Sequence, residues 1–242
     1  ELLLKPFWRG VTNKTKVIFI SQITSPTAII FPIKQVVRMA RDRGILTIID
    51  GAHVPGHIDI NIHELGCDFF TGAIHKWLCG PKGSSFLYVK KSHQNWVKPI
   101  IYSWGKDGDD PGPTEFLQDF QWQGTRDMSS FLTIPKAIEF FLKHIKPNQN
   151  YCRKMILEAH SNFKSILNTD PISSGDDWIG QMVSHPLPIN TPSSIKDIIW
   201  EEHRIEIPIF EWNRVRYIRC SFQVYNEKKD VDSLMSVLES IF

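Results

Sequence analysis

The sequence predicts an α/β protein. Residues 1–145 should form a mostly parallel sheet with flanking helices, and residues 146–242 a small C-terminal α+β domain. Three observations point there. Apolar runs of strand length alternate with helical spacing up to Val89, the β-α-β-α-β rhythm of a parallel sheet. The last third reads strand, helix, two strands, helix. Gly, Pro and Asn punctuate the intervals, where turns need them.

From the N-terminus, Lys16 to Ser21 encloses Val-Ile-Phe-Ile and reads as a buried strand. Gln22 to Pro32 is a loop with two prolines. Ile33 to Arg43 clusters Val36, Val37 and Ala40 at helical spacing, and Gly44 is a suitable stop. Ile45 to Asp50 is the next strand, and Gly51 to Ile60 a Gly/His/Pro loop. Asn61 can cap a short helix ending at Gly66. Phe69 to His75 is a strand that delivers Thr71 and Lys76, followed by a Gly-Pro-Lys-Gly turn at 80–83 and a strand from Ser84 to Val89.

Trp96 to Gly124 lacks periodicity and reads as one long loop, a length that is usually functional or disordered. Phe131 to Ile145 and Tyr151 to Leu167 read as amphipathic helices separated by Pro147-Asn148, the second able to join the two domains. Met182 to Ile189 is a strand. Ser193 to His203 is a helix with Pro192 near its start. Ile205 to Phe210 and Val215 to Val224 are strands. Val231 to Ile241 is a last helix, with Leu234, Leu238 and Ile241 on one face.

Composition narrows the function classes. The chain has 242 residues, 42% hydrophobic and 22% charged, enough for one large domain or two small ones. A net charge of +2 argues for neither nucleic-acid steering nor a strongly acidic partner. No apolar run approaches the roughly 18 residues of a membrane span. Four cysteines, Cys67, Cys79, Cys152 and Cys220, lack metal-type spacing. Without a recognisable signal peptide, the expectation is a reduced, cytoplasmic protein. The chain opens on Glu1 and Leu2-Leu3-Leu4, which reads as a piece of something longer or a processed product.

The chemistry centres on Asp50 to Lys76. An acid and a lysine stand at the ends of neighbouring strands, where open parallel sheets bind ligands. That pair suits pyridoxal 5'-phosphate, which needs a lysine amine for a Schiff base and an acid to keep its pyridine nitrogen protonated.

Longer stretches carry a resemblance. Asp50-Gly51-Ala52-His53, then Thr71-Gly72-Ala73-Ile74-His75-Lys76-Trp77, resemble the class V aminotransferase family of fold type I pyridoxal-phosphate enzymes. The branch resembled is that of the isopenicillin N epimerase-like proteins. His-Lys-Trp-Leu-Cys-Gly-Pro-Lys-Gly at 75–83, Gly124-Thr125-Arg126-Asp127 and Arg219 to Asn226 agree with it, in order and spacing over essentially the whole chain.

The resemblance implies a role for each matching residue. Lys76 would carry the cofactor and move the substrate Cα proton. Asp50 would pair with the pyridine N–H. His53 would lie near the ring, where desulfurases have glutamine. His75 would reach the phosphate, and Thr125 the phosphate of the partner subunit in a homodimer with its active site at the interface. Arg219 would clamp a substrate carboxylate. Ser25, in the loop after the first strand, is a further cofactor-binding candidate. His53, His57 and His63 also read as loop or surface histidines, and Trp77 as packing.

Two departures stand out. Ala73 occupies the position where the desulfurase branch has a phosphate-binding serine. The stretch that supplies the family's phosphate-cradling turn, ring-stacking aromatic and first strands is not visible. Three readings follow: an enzyme acting on an amino acid as epimerase, aminotransferase or lyase; a truncated relative that keeps the scaffold but binds cofactor weakly or not at all; and a metal hydrolase using Asp50, His53, His57 and His75. Desulfurases carry a nucleophilic cysteine before the arginine. Ile205 to Trp212 has none, and Cys220 reads as core, so desulfurase activity is not expected.

Overall fold

A computed structural model describes residues 4–108, 112–173 and 175–242. Leu2 and Leu3, and residues 109–111 of the long segment after Trp96, lie outside the described residues.

The first sheet has the order β1-β2-β3-β4: β1 (Val17–Ser21), β2 (Leu46–Asp50), β3 (Phe69–Ala73) and β4 (Ser85–Val89). β1, β2 and β3 are parallel, and β4 returns antiparallel to β3. α1 (Leu4–Arg9) and α2 (Ile33–Arg41) lie on one face. α2 turns Ile33, Val36, Val37 and Ala40 inward. Val36 and Ala40 pack with Ile18 and Ile45, while Ile33 and Val37 join Ile49, Phe70 and Trp77. α3 (Ile62–Leu65) starts where Asn61 Oδ1 accepts from the Glu64 N–H and stops at left-handed Gly66, φ +71°. The opposite face is open: Phe19 is 68% exposed, with Val17 and Leu87 also exposed.

α4 (Glu115–Gln121), α5 (Ser129–Leu132) and α6 (Ile134–Phe140) lead to α7 (Gln149–Leu167), through a π turn at Phe141–Ile145 and a tight turn at Lys146–Asn148. The second sheet has the order β5-β7-β6: β5 (Met182–Pro186), β6 (Ile209–Trp212) and β7 (Val215–Ser221), all antiparallel. α8 (Ile195–His203) precedes β6, and α9 (Lys228–Ile241) follows β7. A reciprocal capping box between Glu227 and Asp230 begins α9. Ile156, Ala159 and Phe163 of α7 and Leu234 and Leu238 of α9 close one core with Ile218 and Phe222.

Several boundaries depart from the sequence expectation: the strand Met182 to Ile189 ends at Pro186, that of Val215 to Val224 at Ser221, and three further departures have a clear cause. The strand carrying Lys76 ends at Ala73, because the Ile74 N–H bonds Ser84 O and Ile74 O accepts from the Gly80 N–H, turning the chain. Lys76 therefore sits in that turn. The stretch Trp96 to Gly124 contains helix α4, capped by Thr114 Oγ1 on the Leu117 N–H and reinforced by Phe116 on Phe120, four residues apart. Its Asp119 is buried beside Lys98 and Lys106, a long-range pairing that periodicity does not reveal. Ile205 to Pro208 is not strand: Arg204 ends α8 in the left-handed region (φ +56°), Ile205 N–H returns to Ile199 O, and Pro208 has no N–H to give. Pairing begins at Ile209.

Candidate active site

The register of the parallel strands aligns Ser21, Asp50 and Thr71 across the sheet. Asp50 is held at both oxygens: Ser21 Oγ donates to Oδ2 at 2.9 Å, and the Ala52 N–H donates to Oδ1 at 2.9 Å. The carboxylate is thus oriented before any ligand arrives. Gly51 permits the turn, since a Cβ there would stand 2.1 Å from the Phe70 ring.

Lys76 lies in the turn from Ile74 to Gly80. The Cys79 N–H bonds Lys76 O at 3.2 Å, and the Gly80 N–H bonds Ile74 O at 3.0 Å. Gly56, at φ +84°, lets the 51–60 loop press against this turn; a Cβ would come within 2.5 Å of Trp77 O. Lys76 is half-buried. Burial lowers its amine below the usual lysine range, Asp50 opposes that, and Arg219 lowers it further.

His53 and His57 are both buried, against the expectation of loop or surface histidines. The reason is local: the loop carrying them is covered by Trp77 and by the Gly180-Gln181 segment. His57 Nε2 accepts from the Gln181 N–H at 2.6 Å, so Nδ1 carries the proton and donates to His53 O at 3.1 Å. Both nitrogens are spent, which removes His57 from a metal-ligand set. Its pKa falls to about 3 through burial, with His53 adding to the effect. His53 Nδ1 accepts from Trp77 Nε1 at 3.1 Å. Its pKa falls to about 4, first through burial and then through Lys76 and Arg219, with Asp50 opposing and His75 adding slightly. Asp50, His53, His75, Lys76 and Arg219 therefore share one electrostatic neighbourhood.

Arg219 reaches this place from β7. Its Nη1 donates to Ser25 O at 2.6 Å and to Ser25 Oγ at 3.0 Å, while its Nε is buried without a partner among the described residues. Burial lowers its pKa. Ser184 Oγ, beside it on β5, donates to Pro26 O at 2.7 Å. Three bonds from the second sheet thus pin the loop after β1.

His75 is exposed. Thr125 stands on an exposed segment after α4. Several residues that build the site carry no compositional signal. Ser21 orients Asp50. Gln181 fixes His57. Gln223 Nε2 donates to Trp77 O at 3.2 Å and ties the second unit to the lysine turn. Trp77 does more than pack, because its indole N–H holds His53. Only the pairing of neighbouring strand ends could have pointed to Ser21.

The aminotransferase class-V family model matches residues 1–234. The chain belongs to the class V aminotransferase family. Isopenicillin N epimerase of Amycolatopsis lactamdurans is 29% identical over 94% of this chain and 60% of its own length. A probable chloroplastic L-cysteine desulfhydrase of Arabidopsis thaliana is 27% identical over 95% of this chain and 51% of its own. The apo structure of a cysteine desulfurase from Thermococcus onnurineus NA1 superposes with a TM-score of 0.80 at 19% identity, covering 93% of this chain and 59% of that one. The chain thus spans about half to three-fifths of the length of these relatives. The fold is that of the fold type I enzymes, and the family's cofactor is pyridoxal 5'-phosphate.

The residues present fit that cofactor. A carboxylate fixed by Ser21 and Ala52 suits a pyridinium proton, and a half-buried amine of lowered pKa suits a carbonyl carbon. The buried Nε2 of His53 and Nε of Arg219 have no partner among the described residues, as expected of groups kept for a ligand.

Proposed function

We propose that the protein is a pyridoxal-phosphate-dependent enzyme acting on an amino acid, with epimerase or aminotransferase chemistry. One observation carries this reading: beyond the C-terminal ends of the parallel strands, the pre-oriented Asp50 carboxylate stands within electrostatic reach of the half-buried Lys76 amine. When bound, pyridoxal phosphate supplies an electron sink for bonds to the substrate Cα. Asp50 holds a proton on the pyridine nitrogen. Lys76 takes and returns the Cα proton, and burial raises the neutral fraction of its amine. Arg219 binds the substrate carboxylate by its guanidinium fork. His53 and Ser25 contact the cofactor. His75 contacts the phosphate, and Thr125 the phosphate held by the partner in a homodimer. The cofactor-binding unit comprises 1–145, and the small unit 146–242.

Desulfurase chemistry is not part of the proposal. Ile205 to Trp212 carries no cysteine, and burial pushes the Cys220 thiol up to about 12, away from thiolate.

A second reading, a relative that keeps the scaffold with weak or no cofactor binding, is favoured by Ala73, which offers no hydroxyl where desulfurases bind phosphate. Titrating pyridoxal phosphate into the purified chain separates the two. A stoichiometric visible band made permanent by borohydride, with turnover of an amino acid, supports the enzyme. No band at millimolar cofactor supports the second reading.

A further inference from the structure

Trp77 follows the lysine directly, and its side chain points to His53 rather than to solvent. An indole N–H can only donate. His53 Nδ1, 3.1 Å from Trp77 Nε1, must therefore present a lone pair, and a neutral ring then carries its proton on Nε2. That Nε2 is buried with no partner among the described residues. We propose that Trp77 is a positioning residue that holds His53 in its neutral, Nε2-protonated form, so that His53 serves the site as a hydrogen-bond donor and not as a base.

Both components of the lock are themselves immobilised. The Trp77 ring is buried against the His57 ring, centroids 4.1 Å apart, and its carbonyl accepts from Gln223 Nε2. His57 is fixed by the Gln181 N–H on one nitrogen and by His53 O on the other. Rotating the His53 ring away from Trp77 would leave the buried indole N–H without its acceptor. The charged and titratable groups that face His53 act in the same direction on balance. Lys76, Arg219 and His75 disfavour a second proton, His57 is neutral, and Asp50 alone favours it. Protonating Nδ1 would also set two N–H groups head to head.

The ligand chemistry follows from the donor. A buried N–H without an acceptor is a standing cost, which an acceptor oxygen removes. With Lys76 and Arg219 beside it, that oxygen carries negative charge. A group locked as a donor cannot abstract a proton, so Cα proton transfer falls to Lys76. This use of His53 rests on the function proposed above, whereas the locked form does not.

The test is made on cofactor-free protein labelled with ¹⁵N-histidine, by long-range proton–nitrogen correlation, with His53→Gln assigning the signals. The expected spectrum shows His53 with a bare Nδ1 and a protonated Nε2, unchanged between pH 8 and pH 5. Trp77→Phe keeps the ring on His57 and removes the donor. It should average the two neutral forms and raise the His53 proton affinity about tenfold, while burial, Lys76 and Arg219 still hold it below that of an ordinary histidine. A wild-type His53 protonated on Nδ1, or titrating near 6.5, overturns the proposal. So does a folded Trp77→Phe variant with an unchanged His53. Should Trp77→Phe fail to fold, the wild-type spectrum decides alone. Adding pyridoxal phosphate then separates the two ideas: without a visible band the proposed function fails, while the locked histidine stands on its own spectrum.

Discussion

The two sheets solve the same packing problem differently. The second is closed by its own chain: α7 and α9 bury Ile218 and Phe222, and Phe163 and Leu238 are fully enclosed. The first is covered by α1 and α2 on one face and leaves Phe19, Val17 and Leu87 open on the other, although parallel strands ordinarily bury both. The acid and the lysine belong to the less finished sheet. The more finished unit reaches across, with Arg219 and Ser184 on the loop after β1, Gln181 on His57 and Gln223 on the lysine turn. Stability and chemistry are thus unevenly divided, and the seam between the units joins them.

Lys76→Ala should give the largest effect by striking chemistry alone. The visible band of the cofactor-loaded protein and all turnover should vanish, while far-UV circular dichroism stays the same. An unchanged visible spectrum would remove Lys76 from its role. Next come paired core variants. Phe163→Ala in the closed unit should cost about 3–5 kcal/mol in urea unfolding. Phe19→Ala on the open face should cost less than about 1 kcal/mol. Equal losses would mean that the open face is covered in solution.

Asp50→Ala comes third. Losing its charged contact to the cofactor should weaken retention by about 1.5–3 kcal/mol, roughly ten- to a hundredfold, read by equilibrium dialysis. Slower proton removal should accompany it.

A probe that needs no substitution is pH. His53 and His185 are held at about 4 and His57 at about 3, each mainly by burial. In the unfolded chain they take up protons near 6.5, before the folded protein does. Their stabilising share is therefore complete above about 6.5 and is lost as pH falls towards 4, and towards 3 for His57. Each contributes a slope of about 1.4 kcal/mol per pH unit in that window. Urea titrations of cofactor-free protein at pH 7 and pH 5 measure the sum. His185→Gln, whose ring Nε2 bonds Thr169 O inside the closed unit, should remove one share of the slope. A flat profile would show that these rings are open to water.

Much of this was legible because it is local. Strand-length apolar runs, Asn61 before a helix and Gly66 after it, and an acid at the end of β2 are statements about neighbours in sequence. The family motifs extend that to Lys76, His53 and Arg219. The turn that ends β3 early depends on Ser84 and Gly80 folding back, and the buried Asp119 on two distant lysines. The pairing of Arg219 with Ser25 spans 194 residues, and that of His57 with Gln181 spans 124. No window of periodicity contains such contacts. His57 read as a loop residue because its loop looks polar. Trp77 and the second unit, both arriving later in the chain, bury it.

The alignment of Ser21 with Asp50 and Thr71 also limits how such a site can change. Side chains alternate faces along a strand, so parity decides which residue meets the ligand. Adding or deleting one residue inside β2 would swap Asp50 with Ile49, setting a fully buried hydrophobe where the carboxylate now stands. Descendants of this chain can replace the acid, or its hydroxyl support at Ser21, one letter at a time. They cannot slide the strand by a single step, and the reading frame of the sheet is inherited whole.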